Sequence, residues 1–178
     1  MAETVITRLT ESRLIDATQF AERMRDNRTF THFSHTMPCE MLNDSWQVWL
    51  LYDMADQVRE FIPGRPVFVG HQVIGWMQAQ LWSGVKEHIA RIGFALLEEY
   101  RGHGLGSMMV DYVLEEMRGK RKIEATVYSD NTAMLTIYFK RGFHVEGCFV
   151  DAERWDEQRR DVLSLAKFNS VQIGVKYD

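Results

Sequence analysis

Tyr100-Arg101-Gly102-His103-Gly104-Leu105-Gly106-Ser107 stands between an apolar run that ends at Leu97 and an amphipathic run that begins at Gly104. Glycines in such a segment let the chain turn tightly and aim several backbone N–H groups at one point, and the start of a helix adds partial positive charge. The natural guest of that arrangement is a phosphate or pyrophosphate. The segment is not a nucleoside triphosphate loop, because no Lys-Ser or Lys-Thr pair follows at the needed position. It also fails the dinucleotide pattern, since Ser107 occupies the place of a third glycine or alanine. A plain strand-to-helix connection would look similar if nothing else in the chain agreed.

Working toward the C-terminus, Gly104–Arg118 carries Leu105, Met108, Met109, Tyr112, Val113 and Met117 at helical spacing, with Gly119 as a stop. Ile123, Ala125 and Val127 then alternate with Glu124, Thr126 and Tyr128, which predicts a strand. A helix over Asn131–Lys140 ends at Gly142, and strands follow over Phe143–Val150 and Val162–Phe168 with a charged loop, Asp151–Asp161, between them. Toward the N-terminus, His88–Leu97 reads as a strand. Pro66–Val69 and Val73–Leu81 read as a hairpin around Gly70-His71-Gln72. Helices are expected over Arg13–Met24 and over Asp44–Phe61, where Val48, Leu51, Tyr52, Ala55 and Val58 share a stripe and Pro63-Gly64 makes a stop. Val5–Leu9 is a short strand, and Asn27–Asn43 shows no clear period. This order calls for an α/β (α+β) fold in which a mixed sheet carries helices on its faces.

The glycine segment has companions further on. Asn131 is followed after seven residues by Tyr138, then by Lys140-Arg141-Gly142-Phe143. With these, the sequence resembles the GCN5-related N-acetyltransferase (GNAT) family. That family's acyl-CoA loop reads Gln or Arg, two residues, Gly, one residue, Gly or Ala, matched here by Arg101, Gly104 and Gly106. Its later segment is matched by Asn131, Tyr138 and Gly142-Phe143. The likeness covers about residues 66–168. Met134 stands where the family usually has Ala, which bears on helix packing and removes no reactive group.

The resemblance implies a mostly antiparallel central sheet of six to seven strands flanked by about four helices. It implies acetyl-CoA as the cofactor, with CoA as product, and transfer to a primary amine by direct attack in a ternary complex. A splayed strand ending at Phe94, Ala95 and Leu96 would meet the pantetheine amides, and an N–H near Leu96 would bind the acetyl carbonyl oxygen. The amides of Gly102, His103, Gly104, Leu105, Gly106 and Ser107 would receive the pyrophosphate. Asn131 would contact the cofactor, Tyr138 would donate a proton to the departing sulfur, and Lys140 and Arg141 would meet the ribose phosphate or form a solvated helix end. For the base that takes the amine's proton, Glu124, His88, His144 and a chain of water stay open. A non-catalytic acyl-CoA-binding sensor of the same fold is the alternative reading, and a purely structural partner protein a third.

Phe33, Met37, Met41, Trp46 and Trp49 suit an apolar acceptor pocket, and core packing of a helix pair accounts for them equally well. The acceptor expected is a small-molecule amine or a protein N-terminal amine, and proteins of this fold often pair as homodimers through sheet edges. With 178 residues, one domain over residues 1–170 and a tail over 171–178 are expected. A net charge of -4 removes the usual long-range attraction to a nucleic acid or an anionic membrane. Cys39 and Cys148 match no metal or redox spacing, so free thiols and no metal are expected. The opening residues carry charges and no apolar core of export-signal length, which points to the cytoplasm.

Overall fold

The computed structural model describes residues 4–25, 41, 43–53, 59–62, 65–68, 72–155 and 158–169. Their strands are β1 (Thr4–Arg8), β2 (Trp46–Asp53), β3 (Arg59–Ile62), β4 (Arg65–Phe68), β5 (Gln72–Leu81), β6 (Ile89–Leu96), β7 (Lys122–Tyr128), β8 (His144–Trp155) and β9 (Gln158–Phe168). The helices are α1 (Leu14–Arg25), α2 (Leu105–Glu116) and α3 (Thr132–Lys140). Seven strands form one sheet in the order β1-β2-β5-β6-β7-β9-β8, so strands from both ends of the chain join a single layer. Neighbours are antiparallel except for β6 and β7, which run parallel because α2 carries the chain back between them.

Helix α1 covers one face of the sheet, where Phe20 stacks on Trp76 with ring centroids 6.4 Å apart. The other face is covered by α2 through Met109, Val110 and Val113, all fully buried. Gly75 makes that approach close: a Cβ there would lie 3.1 Å from both Leu51 Cβ and Met109 Cε. Among the described residues no helix is long and apolar enough to cross a membrane.

The mixed, mostly antiparallel sheet agrees with the sequence reading, and three of its local expectations need correction. Trp46–Asp53 is a strand and not the first half of a helix. It lies between β1 and β5 with α1 on one side and α2 on the other, so Val48, Trp49, Leu50, Leu51 and Tyr52 are all buried. A strand buried on both faces loses its alternation and reads as a continuous apolar run, in which a helical stripe is easily found. The expected hairpin partner of β5 is also displaced, because β4 pairs with β3 in a separate two-stranded ribbon and β5 sits between β2 and β6. Finally, most of the charged segment 151–161 is strand, extending β8 and β9 past the sheet core. Most of the aperiodic segment 27–43 lies outside the described residues, as does the tail 171–178.

Candidate functional site

Strands β6 and β7 pair only from Ile89–Lys122 to Ile92–Ala125. Beyond that point β6 stays with β5 as far as Leu96, and β7 stays with β9 as far as Tyr128, so a wedge opens inside the sheet. The N–H of Leu97 donates to the carbonyl of Ile74 at 2.9 Å, which sets the phase of the ladder. In an antiparallel pair alternate residues turn their groups to opposite sides, so Phe94 and Leu96 direct theirs into the wedge. The Leu96 carbonyl accepts from Arg101 Nε and Nη2 at 3.3 and 3.2 Å. Its N–H faces the same opening, the geometry of a main-chain donor for a carbonyl or amide that enters there.

At the mouth of the wedge the chain turns through Glu98–Tyr100 into the glycine loop. Gly102 and Gly104 have φ of 81° and 83°, the left-handed region that residues with a Cβ avoid. Gly104 is the N-cap of α2 and supplies no side-chain cap, so the first-turn amides of Leu105, Gly106 and Ser107 have no partner within the helix. No acidic side chain stands in that turn. A Cβ on Gly102 or Gly104 would meet nothing within 4 Å, whereas one on Gly106 would touch Ile137 Cδ1 at 3.5 Å. Open space, uncapped amides and the helix dipole make this turn fit a diphosphate, and His103 lies exposed at its crest.

Helix α3 closes the same side of the wedge. Asn131 is its N-cap, with Oδ1 accepting from the N–H of Met134 at 3.1 Å, so that side chain shapes the helix start. Tyr138, 2% exposed, packs against Phe143 at 4.8 Å and reaches Phe94 of the splayed strand at 6.5 Å between ring centroids. Its hydroxyl makes no hydrogen bond among the described residues, and burial alone pushes the phenol well above its usual range. Arg141 binds Asp111 at 2.5 Å, and its Nη2 and Nη1 donate to the carbonyls of Ser107 and Ile137 at 3.0 and 3.1 Å. It therefore ties α3 to α2, while Lys140 is exposed.

The candidate bases do not gather at the wedge. Glu124 pairs with Lys122 at 2.9 Å and with Arg91 at 3.2 Å, at the closed end where β6 and β7 still meet. Burial pushes its carboxyl up, but the two cations outweigh it and hold Glu124 below the usual carboxylate range, a poor setting for accepting a proton. His144 stacks on Phe168 at 5.7 Å, and the main chain of His88 receives the N–H of Lys122. Of the apolar candidates, Met41 and Trp49 are core, the latter edge-on to Tyr112 at 6.0 Å. Trp46 is half-buried at the start of β2. Phe33 and Met37 lie outside the described residues. Among those described, no group of three or more His, Cys, Asp or Glu could hold a metal ion.

In the sequence Glu153 stands, with Asp156 and Glu157, as an acid able to attract a cationic amine, interleaved with Arg154, Arg159 and Arg160 so that the segment carries no clear sign; its pairing with Tyr128 was not legible there. The Tyr128 hydroxyl, at the last residue of β7, donates to Glu153 Oε2 at 2.6 Å. Burial, helped by that carboxylate, pushes the phenol well above its ordinary value, so it stays a donor. These residues are 25 positions apart and no spacing rule joins them.

The pattern of the acetyltransferase (GNAT) family fits residues 22–143. Among curated proteins no relative matches the sequence. Several solved structures share the fold. An acetyltransferase of the GNAT family from Streptococcus pneumoniae is 18% identical, with TM-score 0.72 over 93% of this chain and 99% of that one. A GNAT superfamily phosphinothricin acetyltransferase from Sinorhizobium meliloti, in complex with AcCoA, is 13% identical, with TM-score 0.72 over 93% and 88%. A ribosomal-protein-alanine N-acetyltransferase from Brucella melitensis is 16% identical, with TM-score 0.65 over 92% and 99%.

Proposed function

The chain belongs to the GNAT acetyltransferase family, and from that premise we propose that this acyltransferase moves an acetyl group from acetyl-CoA to a primary amine by direct attack in a ternary complex. The observation that carries the reading is the alignment of two features: an uncapped glycine turn at the mouth of a wedge, and main-chain donors of Phe94 and Leu96 inside it. When bound, acetyl-CoA supplies an activated thioester. The amides of Gly102 to Ser107 would hold the diphosphate and the Leu96 N–H would be the donor for the acetyl oxygen, while Arg101 keeps the end of β6 in place through the Leu96 carbonyl. Asn131 takes part by setting the start of α3, and so the position of Tyr138.

Tyr138 keeps its proton throughout the neutral range, because its phenol is held above the ordinary value of about 10. It would therefore be able to offer a hydrogen to the leaving sulfur, with no protein acceptor competing for it among the described residues. Direct attack is the reading taken over an acyl-enzyme; among the described residues the cysteine, Cys148, is exposed on β8, two strands away from the wedge. Its free thiol suits a reducing, cytoplasmic setting. The acceptor classes proposed are a small-molecule amine and a protein N-terminal amine, the kinds named for the neighbours from Sinorhizobium meliloti and Brucella melitensis.

The test is to mix the purified protein with acetyl-CoA and a panel of small amines, amino acids and peptides with free amino termini, and to follow free thiol. Thiol release that depends on the amine supports transfer. Tight CoA binding with no release for any amine would replace the enzyme with an acyl-CoA sensor of the same fold.

A further inference from the structure

The end of α3 and the glycine turn are joined through one side chain. Arg141, the C-cap of α3, sends its guanidinium across to α2, where Nε and Nη2 donate to the two oxygens of Asp111, each at 2.5 Å. That two-point grip fixes the plane of the fork, because guanidinium and carboxylate are both flat. With the plane set, Nη2 also donates to the Ser107 carbonyl at 3.0 Å and Nη1 to the Ile137 carbonyl at 3.1 Å. These bonds use most of the N–H groups that a guanidinium has. The Arg141 side chain is 16% exposed and that of Asp111 61%, so the cation is held mainly out of water and the protein sets its position.

The two carbonyls belong to the two halves of the site. Ser107 closes the glycine turn inside the first turn of α2, and Ile137 directly precedes Tyr138 on α3. The same segments also touch without it, since a Cβ on Gly106 would stand 3.5 Å from Ile137 Cδ1, an ordinary contact distance. The Tyr138 carbonyl accepts from the N–H groups of Arg141 and Phe143 at 3.0 and 3.2 Å, which ties the residue to the turn that carries the guanidinium. Helix α3 has 9 residues, too few to hold its shape without outside anchors. Asn131 anchors its start, and Arg141 anchors its end against the diphosphate turn.

This inference rests on the acetyl-transfer reading. The grip on the diphosphate lies in one segment and the proton donor in another, so the spacing between them must match the reach of the ligand from diphosphate to sulfur. We propose that Arg141 is a positioning residue that holds Tyr138 at a fixed distance from the glycine turn, so that gripping the cofactor sets its sulfur beside the phenol. The guanidinium donors are committed to Asp111, Ser107 and Ile137, so Arg141 acts through the turn and through Tyr138 and not on the reacting atoms. Misplacing a reacting group by about 1 Å can cost about 100-fold in rate. A lysine in this place would offer one point charge on a flexible stem, which cannot hold the carboxylate and both carbonyls together.

Arg141→Lys tests this, because the charge opposite Asp111 stays while the fork is gone. With saturating acetyl-CoA and the amine of the panel that releases thiol fastest, kcat should fall by about tenfold, and calorimetry should show CoA binding weakened by about threefold or more. Placed on Tyr138→Phe, the same substitution should lower the remaining kcat by less than about twofold, because the donor that Arg141 positions is already missing. A purely structural tie would weaken both proteins alike. Equal losses in the two backgrounds, or a kcat for Arg141→Lys within about twofold of wild type, would therefore overturn the proposal. Should the wild-type protein bind CoA and release no thiol with any amine, the transfer reading falls and calorimetry decides. CoA binding weakened by about threefold or more in Arg141→Lys then keeps the link between α3 and the turn, and any smaller change removes it as well.

Discussion

The two ends of β7 differ in what the neighbouring strand leaves open to the side chains of one face. At the closed end Glu124 is met by Lys122 and Arg91, in a stretch where β6 and β7 are still hydrogen-bonded and no space is left between them. At the open end the ladder has parted, Tyr128 meets Glu153 from a distant strand, and the Leu96 N–H looks into the gap. The lesson is that a side chain's surroundings follow from where the ladder holds and where it parts, and not from its residue type. Where the strands stay paired, Lys122 and Arg91 neutralise Glu124 and it becomes part of the scaffold.

The sharpest test of the open end is Tyr138→Phe. Turnover should fall by about 100-fold while acetyl-CoA affinity stays close to wild type, and stability should change little because the hydroxyl has no hydrogen-bond partner among the described residues. A variant that keeps full turnover would remove the proton-donor role. Next in size is Gly104→Ala. Its φ of 83° makes the substitution cost about 1 kcal/mol in stability, and since the new methyl meets no protein atom within 4 Å it intrudes only on a ligand. Calorimetry should show CoA binding weakened by about tenfold, the cost of perturbing a charge-assisted hydrogen bond or two.

Asn131→Ala, which deletes the α3 cap, should lower stability by about 1 kcal/mol in a denaturant titration, and turnover should fall with it because α3 carries Tyr138. The smallest effect on catalysis belongs to the closed end. Glu124→Gln should change turnover by less than about threefold and cost about 1 kcal/mol of stability at pH 7. The folded carboxyl is held below its ordinary value of about 4.3, so its contribution is complete above that value and is lost as pH falls through the lower folded one. Acid titrations of the two proteins should therefore converge as pH falls through the lowered folded value, and an activity loss in Glu124→Gln as large as that of Tyr138→Phe would erase the contrast between the ends.

The glycine loop and the helices around it were readable from the chain because their geometry is local. Gly102 and Gly104 announce a left-handed turn whatever surrounds them, the amphipathic run after Gly104 announces α2, and Asn131 with Tyr138 lies on one short helix. The surroundings of β2 and of the two ends of β7 were not readable. Trp46–Asp53 shows a helical stripe because both faces of β2 are covered, and Glu124 stood out as a candidate base because alternation shows which face a residue shares and not which cations share it too. Glu153 fell in what looked like a charged loop, and its aim depends on how Asp151 is held by Asp161 and Arg159.

Taken alone, the order of residues determined an α/β chain with a glycine turn opening a helix and a tyrosine on the helix after it, because each of these follows from backbone preferences within a few neighbours. Tertiary structure decided where β6 and β7 part, that Glu124 is neutralised by Lys122 and Arg91, and that Glu153 meets Tyr128. Those outcomes depend on strand register and on side chains far apart in the chain, and a two-residue bulge or a lost ladder bond changes them without altering any local pattern.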